Sequence, residues 1–394
     1  MATHVDALDG LRGVAILGVL AFHTGHLPGG FLGVDLFFVL SGHLITGLLL
    51  REARATGGVS LVAFWGRRAR RLLPALAVVL AAVAVAARLA GPPDVARAAL
   101  ADGPWVQLNL VNWHLLAESA SYWDRFGSAR AFEHLWSIAV EEQFYVAWPA
   151  VLIALAALGA RGLERRVAAV AGLGAAASVA LMVALADPAD PTRAHTGTDT
   201  RAASLLLGAL VATAPGQTAI AAVARRWAAP AATIAAGALA VAWALAGGAG
   251  AAWLFDGGLL AHALAAAALI GLCAHAPQIA PARALAWRPL VGLGLISYGL
   301  YLWHWPVAVL LSRERTGLGP WPWTLLVVAA SVALAVASKH AVEDPIRFRA
   351  RWARGRRGAV ALAALMAGLA ALWIALPSPP PPPVDVDGLR RVRG

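Results

Sequence analysis

Two ionisable residues, Arg12 and His23, stand eleven positions apart in an apolar run near the N-terminus, "DGLRGVAILGVLAFH". At about 100° per residue, that spacing returns to within about 20° of one helical face and covers ~16 Å of axis. A guanidinium in a lipid-length segment costs at least about 2.5 kcal/mol at mid-span, so it needs a polar partner or a cavity. An imidazole on the same face is a candidate general base or acyl acceptor near neutral pH. Either residue alone also fits a structural part, the arginine capping a neighbouring helix and the histidine bonded to a carbonyl. Their shared face is what points to chemistry.

Further polar residues punctuate later apolar runs. "GGFLGVDLFFVLSGHLIT" holds Asp35, Ser41 and His43. Asp35 has two readings: it pairs with His23 across the tight Pro28-Gly29-Gly30 turn and fixes its tautomer, or it caps its own helix. In "EHLWSIAVEEQFYVAWP", His134, Ile138, Glu141 and Tyr145 fall on one helical face, with Glu142 turned ~100° away. Adjacent carboxylates in an apolar helix are costly, and an ion pair between Glu141 and Arg12 is the structural explanation. "FWGRRARRLLPAL" places Arg68 and Arg71 in a connection, where guanidinium forks suit phosphates and where positive-inside topology also asks for arginine. Asp199 and Arg201 in "TGTDTRAASLLLGAL" fit a site or an ordinary ion pair. In "LISYGLYLWHWPV", interfacial belts explain Tyr298, Tyr301 and the tryptophans, but not His304.

The elements that must position these residues are membrane helices. The chain is 60% hydrophobic and only 13% charged, too apolar for a soluble domain of 394 residues. We expect an all-α integral membrane bundle of about eleven spans: 8–25, 33–50, 72–90, 136–158, 167–186, 202–214, 229–247, 258–275, 290–311, 323–342 and 359–376. Arginine clusters at 51–71, 161–166, 225–226, 283–288 and 347–357 then share one side, which puts the N-terminus inside and the C-terminus outside. The first span reads as retained rather than cleaved. A long outer loop, about 91–135, carries Trp105, Trp113 and Trp123, suited to headgroups or to a sugar surface. The tail "PSPPPPPVDVDGLRRVRG" is a stiff extended spacer.

The net charge of +11 sits in clusters between apolar segments, so it argues topology and not nucleic-acid binding. The single cysteine, Cys273, excludes a disulfide framework and a thiolate metal site, and we expect no metal. The lack of a G-x-x-x-x-G-K-S/T phosphate loop argues against an ATP-driven pump. A proton-coupled transporter is the competing reading, because intramembrane His, Arg and Glu also build proton paths.

Taken in order, these motifs resemble the acyltransferase-3 family of membrane O-acyltransferases. The resemblance rests on Arg12-x10-His23, "GGFLGVDLFFVLSGHLIT", "RRARRLLPAL", "LWSIAVEEQFYVAWP", "GTDTRAASLLLGA", "ISYGLYLWHWP" and "VEDPIR", over about residues 6–349. It implies a ten-helix core that moves acyl groups, commonly acetyl from acetyl-CoA, from cytoplasmic acyl-CoA to a hydroxyl of an extracytoplasmic glycan or glycosylated small molecule. It implies His23 as the catalytic histidine with Arg12 its companion, Arg68 and Arg71 as a site for CoA phosphates, and Glu141 as the kept carboxylate. Two routes stay open, His23 as general base or as acyl relay. The resemblance also implies a bacterial cytoplasmic membrane, with membrane lipid around the helices. His43 departs from the family, which most often has phenylalanine there. The division expected is an acyltransferase domain over 1–350, an additional helix over 351–376 and an extracytoplasmic linker over 377–394. That last pair resembles the branch that continues into an SGNH-type domain, absent here, so truncation, solitary action or a separate partner are the options.

Overall fold

A computed structural model describes residues 4–121, 130–247 and 251–380. Trp123 and the tail beyond 380 lie outside the described residues. All regular structure within them is helical. The helices are α1 (Asp6–His23), α2 (Gly33–Thr56), α3 (Leu61–Ala90), α4 (Pro93–Gln107), α5 (Val111–Ala117) and α6 (Trp136–Ala157). Next come α7 (Leu163–Leu185), α8 (Thr192–Thr196), α9 (Thr198–Ala212), α10 (Ala214–Leu245) and α11 (Gly258–His275). The remainder are α12 (Ala280–Leu285), α13 (Arg288–Leu310), α14 (Arg313–Thr316), α15 (Pro320–Ser338) and α16 (Gly355–Ala375).

Among the described residues, nine helical segments are long and apolar enough to cross a membrane. The chain is a polytopic membrane protein. The two further spans expected from sequence, α1 and α9, form helices but do not meet that standard. α1 carries Asp6, Asp9 and Arg12 within 18 residues, and α9 has only 15 residues. Both are instead central. α1 packs along α13 and α9 along α2, each at backbone distance. A Cβ on Gly294 would stand 1.9 Å from the Asp9 carbonyl, and one on Gly13 2.2 Å from the Leu290 carbonyl. Across α2 and α9, a Cβ on Gly42 would stand 1.8 Å from the Leu205 carbonyl and one on Gly208 2.0 Å from that of Val39. Small residues let membrane helices approach this closely where lipid supplies no hydrophobic drive.

Two segments differ from expectation. The basic stretch of Arg67, Arg68, Arg70 and Arg71 lies inside α3 rather than in a connection. Ser60 caps the helix by accepting from the Ala63 amide at 3.2 Å, and Glu52 pairs with Arg67 at 2.8 Å. The expected outer loop is largely α4 and α5. At the far end, the "VEDPIR" stretch continues α15 as wide π-turns over Lys339–Glu343 and Pro345–Arg349. α16 docks on α4 through Gln107, which donates to the Met366 carbonyl at 2.8 Å and accepts from the Trp373 indole at 2.7 Å. Its continuation is held by Arg88 on the Pro377 carbonyl (2.9 Å) and Arg97 on that of Pro380 (2.6 Å).

Candidate functional site

A cavity of about 280 Å³ lies between α1, α2, α3, α6 and α13, and Arg12, Arg51, Arg68, Arg71, Glu141 and Glu142 face it. One face of α2 runs its length. Val34, Phe37, Ser41, Leu44, Leu48 and Arg51 all line it, and Val34 to Arg51 is ~26 Å of helix at 1.5 Å per residue. The arginines collect at the end of the chain's basic connections. Four arginines against two glutamates leave the wall net positive.

The pairing explains why these charges look inward. Glu141 accepts from Ser41 in a short hydrogen bond. It forms no direct ion pair with Arg12, contrary to the structural expectation; the nearest carboxylate to Arg12 is Asp9 on its own helix, at 4.0 Å. Arg68 stacks on the Tyr145 ring at 3.9 Å and leaves its Nε buried without a hydrogen-bond partner. Among the described residues, Arg51, Arg68 and Arg71 have no carboxylate partner within 4 Å. Glu142, expected to turn away, also lines the wall, because the cavity spans more than one face of α6.

At the other end the cavity reaches Ser137 and Tyr301. The Tyr301 hydroxyl donates to the His134 carbonyl at 2.8 Å and lies 2.6 Å from the Ser137 hydroxyl. One turn further along α13 sits His304. Its Nδ1 is 2.7 Å from the Tyr301 carbonyl and 3.2 Å from that of Leu300, and its Nε2 is 2.9 Å from His23 Nδ1. His134 precedes α6 in a 3₁₀ turn and packs its ring edge-on to His304, 5.2 Å between centroids. Trp305 covers His23 at 4.7 Å and is itself fixed by donating to the Arg130 carbonyl at 2.9 Å.

Asp35 is not the partner of His23. Its carboxylate is buried against Arg201 at 2.6 Å and Ser204 at 2.9 Å, so it ties α2 to α9. The reason is register: Asp35 and the glycine contact at Gly42 lie on the α9-facing side of α2, seven residues apart. Nor do Asp199 and Arg201 pair with each other. Arg193 grips Asp199 with both guanidinium arms, at 2.9 and 2.7 Å, and this fork holds the Asp199 carboxyl below its usual range. His43 lines neither the cavity nor the histidine cluster, and its Nδ1 is buried without a hydrogen-bond partner.

Beyond Trp305, a second polar cluster joins α4 to α5. Asp102, fully buried, receives Arg130 at 2.7 Å, and Arg130 also reaches Glu118. Asp102, His114 and Glu118 bring ligand-type atoms within 4.8 Å of one another, and Arg130 supplies the positive charge between the carboxylates. Burial, against the opposing pull of Arg130, pushes Asp102 up to about 6.

Sequence reasoning singled out Arg12, Ser41, Arg68, Arg71, Glu141, Glu142, Tyr145 and Tyr301, all of which meet at the cavity. It missed Arg51, Ser137 and Trp305. Arg51 was findable, since it lies seven residues beyond Leu44 on the same face of α2.

Comparison with known proteins gives the family. The family described as an acyltransferase domain, the acyltransferase-3 family, matches residues 5–340. The putative peptidoglycan O-acetyltransferase YrhL of Bacillus subtilis is 34% identical over 352 residues, 87% of this chain and 55% of that protein. The peptidoglycan O-acetyltransferase OatA of Listeria monocytogenes is 33% identical over 351 residues, 87% of this chain and 56% of that protein. A putative O-acetyltransferase of Staphylococcus aureus strain COL is 39% identical over 211 residues, 53% of this chain and 34% of that protein. The chain thus spans about 55% of the first two relatives' length. No solved structure matches it. With a family match over most of its length, the chain belongs to the acyltransferase-3 family.

Proposed function

We propose that this chain transfers a short acyl group, acetyl in the first instance, from acyl-CoA to a hydroxyl of a cell-wall glycan. The observation that carries the reading is the cavity itself. Its basic end holds arginines with no carboxylate partner among the described residues, and its other end stops at Tyr301, one helical turn from His304, which touches His23. Guanidinium groups are matched to phosphates and bind them bidentately. Arg51, Arg68 and Arg71 hold the CoA phosphates at the cytoplasmic face. The pantetheine arm lies along the apolar face of α2, and the thioester reaches toward Tyr301.

His23 then acts as general base. Its Nε2 takes the proton from the acceptor hydroxyl as the oxygen attacks the thioester carbonyl. The C–S bond breaks, the ester stays on the acceptor, and the imidazolium returns the proton to the departing thiolate. Peptidoglycan is the acceptor class we favour, since two relatives carry that substrate in their names. An SGNH-type partner on the extracytoplasmic side belongs to the same proposal.

The test is His23→Ala in the purified full chain, assayed by label transfer from radiolabelled acetyl-CoA to soluble peptidoglycan fragments. Loss of a general base lowers turnover by about 10²–10⁴-fold, with acetyl-CoA binding and elution profile unchanged. A fully active His23→Ala protein ends the proposal. Accumulation of an acetyl adduct on His23 replaces the general-base step with the acyl relay.

A further inference from the structure

Neutral imidazole carries one N–H and one lone pair, so each ring nitrogen's partner dictates its state. His304 Nδ1 faces two carbonyl oxygens, those of Tyr301 at 2.7 Å and Leu300 at 3.2 Å. Carbonyls only accept, so Nδ1 bears the hydrogen. The His304 ring is buried, 1% exposed, and touches no carboxylate among the described residues. A second proton would make it a buried cation with no counter-charge, which is strongly unfavourable. Its Nε2 is therefore a lone pair, and His23 Nδ1, 2.9 Å away, must be the donor. In the neutral form that a base requires, the lone pair of His23 is then on Nε2.

We infer that His304 is the positioning residue for His23, holding it as the Nδ1–H tautomer with Nε2 presented for reaction. This rests on the reading of His23 as the reacting base. The part is the one a carboxylate plays beside many catalytic histidines, and Asp35 is excluded from it by its bond to Arg201. A neutral acceptor differs from a carboxylate in one respect. It orients Nδ1–H and stabilises the imidazolium as it forms, but it takes no proton, because its own Nδ1–H is already committed to the helix carbonyls. The same turn of α13 links the two ends of the site: the Tyr301 side chain closes the cavity and the Tyr301 carbonyl aims His304.

The test compares three substitutions in the full chain, with acetyl-CoA as donor and soluble peptidoglycan fragments as acceptor. His304→Gln places an amide oxygen where Nε2 now accepts from His23. His304→Asn reaches only as far as Nδ1, and His304→Leu offers no acceptor. We expect Gln to keep kcat within about tenfold of the parent, and Asn and Leu to lose about 100-fold or more, with the KM for acetyl-CoA unchanged in all three. If Leu fails to fold, the Gln–Asn contrast decides alone. Asn or Leu turning over at the parental rate overturns the inference, and so does a Gln variant no better than Asn. His23→Ala, assayed alongside, separates the failures: if it is active the base assignment falls, and if it is inactive while His304→Asn is active only the positioning role falls.

Discussion

Asp35 and Arg201 are almost fully enclosed, at 0% and 2% exposure, and they form an ion pair with each other across α2 and α9, although Arg201 keeps its Nε without a hydrogen-bond partner. Arg12, Arg68 and Arg71 are only partly buried and Arg51 is exposed; together they outnumber the carboxylates beside them and surround about 280 Å³ of space. One region closes its charges on each other and the other keeps them open to a guest. Composition cannot separate the two, since both put arginine and acid into apolar helices. Partner count and cavity do. A buried pair with matched hydrogen bonds joins helices, whereas an excess of one sign around a cavity needs a ligand of the opposite sign.

The largest expected effect comes from opening the closed pair. Arg201→Ala leaves the Asp35 carboxylate buried against Ser204 alone, and removing one partner of such a pair costs about 3–5 kcal/mol. The variant should melt far below the parent in detergent and accumulate poorly. The double change Asp35→Leu with Arg201→Met should recover most of that loss, because no charge is left stranded. If Arg201→Ala melts with the parent but loses transfer, the pair belongs to the chemistry and the contrast between the regions collapses.

The Asp102 cluster gives an intermediate case. It is as buried as Asp35, yet burial lifts its pKa from 3.8 to about 6 despite Arg130. A folded-state pKa above the unfolded one contributes stability at low pH. That contribution is full below about 4 and is lost as pH rises through about 6. At about 1.4 kcal/mol per unit, it is worth at most about 3 kcal/mol. Melting curves of the parent and Asp102→Asn between pH 4 and 7 should therefore diverge, the parent losing ground as pH rises to about 6 and running parallel above it. A parent that instead gains on the variant over that range makes Arg130 the stronger influence, and groups this cluster with Asp35 and Arg201.

Much of the candidate site was legible because its residues repeat at helical spacing. Arg12 and His23, or Ser41 and the α6 carboxylates, are placed by the 3.6-residue period once the segments are recognised as helices. What spacing within one helix could not supply was the pairing between helices. For Asp35 the sequence offers a bond to His23 across the turn or a helix cap, but the glycine contact between α2 and α9 turns it to Arg201 instead. His304 carried only an unexplained imidazole in an aromatic belt until α13 packed on α1. The fold showed a similar limit. The hydropathy pattern does mark α1 and α9, but it puts the arginines of α3 in a connection although Ser60 begins a helix before them.

The smallest effect on folding, and the sharpest on the contrast, comes from the open region. Arg68→Ala and Arg71→Ala each remove a guanidinium that has no carboxylate partner among the described residues. No direct ion-pair partner is stranded by the loss, and the relieved repulsion from neighbouring arginines offsets the lost attraction to Glu141 and Glu142, so the melting temperature should stay close to the parent's. A charge-assisted hydrogen bond to a phosphate is worth about 1.5–3 kcal/mol, so each variant should bind acetyl-CoA about 10–100-fold more weakly. The effect should shrink as salt is raised, because a partly exposed cavity mouth is screened. Titration of acetyl-CoA against the purified chain, at low and high salt, measures this directly. Unchanged affinity in both variants removes the phosphates from this end of the cavity, and lowered stability in both makes these arginines structural after all, of one kind with Arg201.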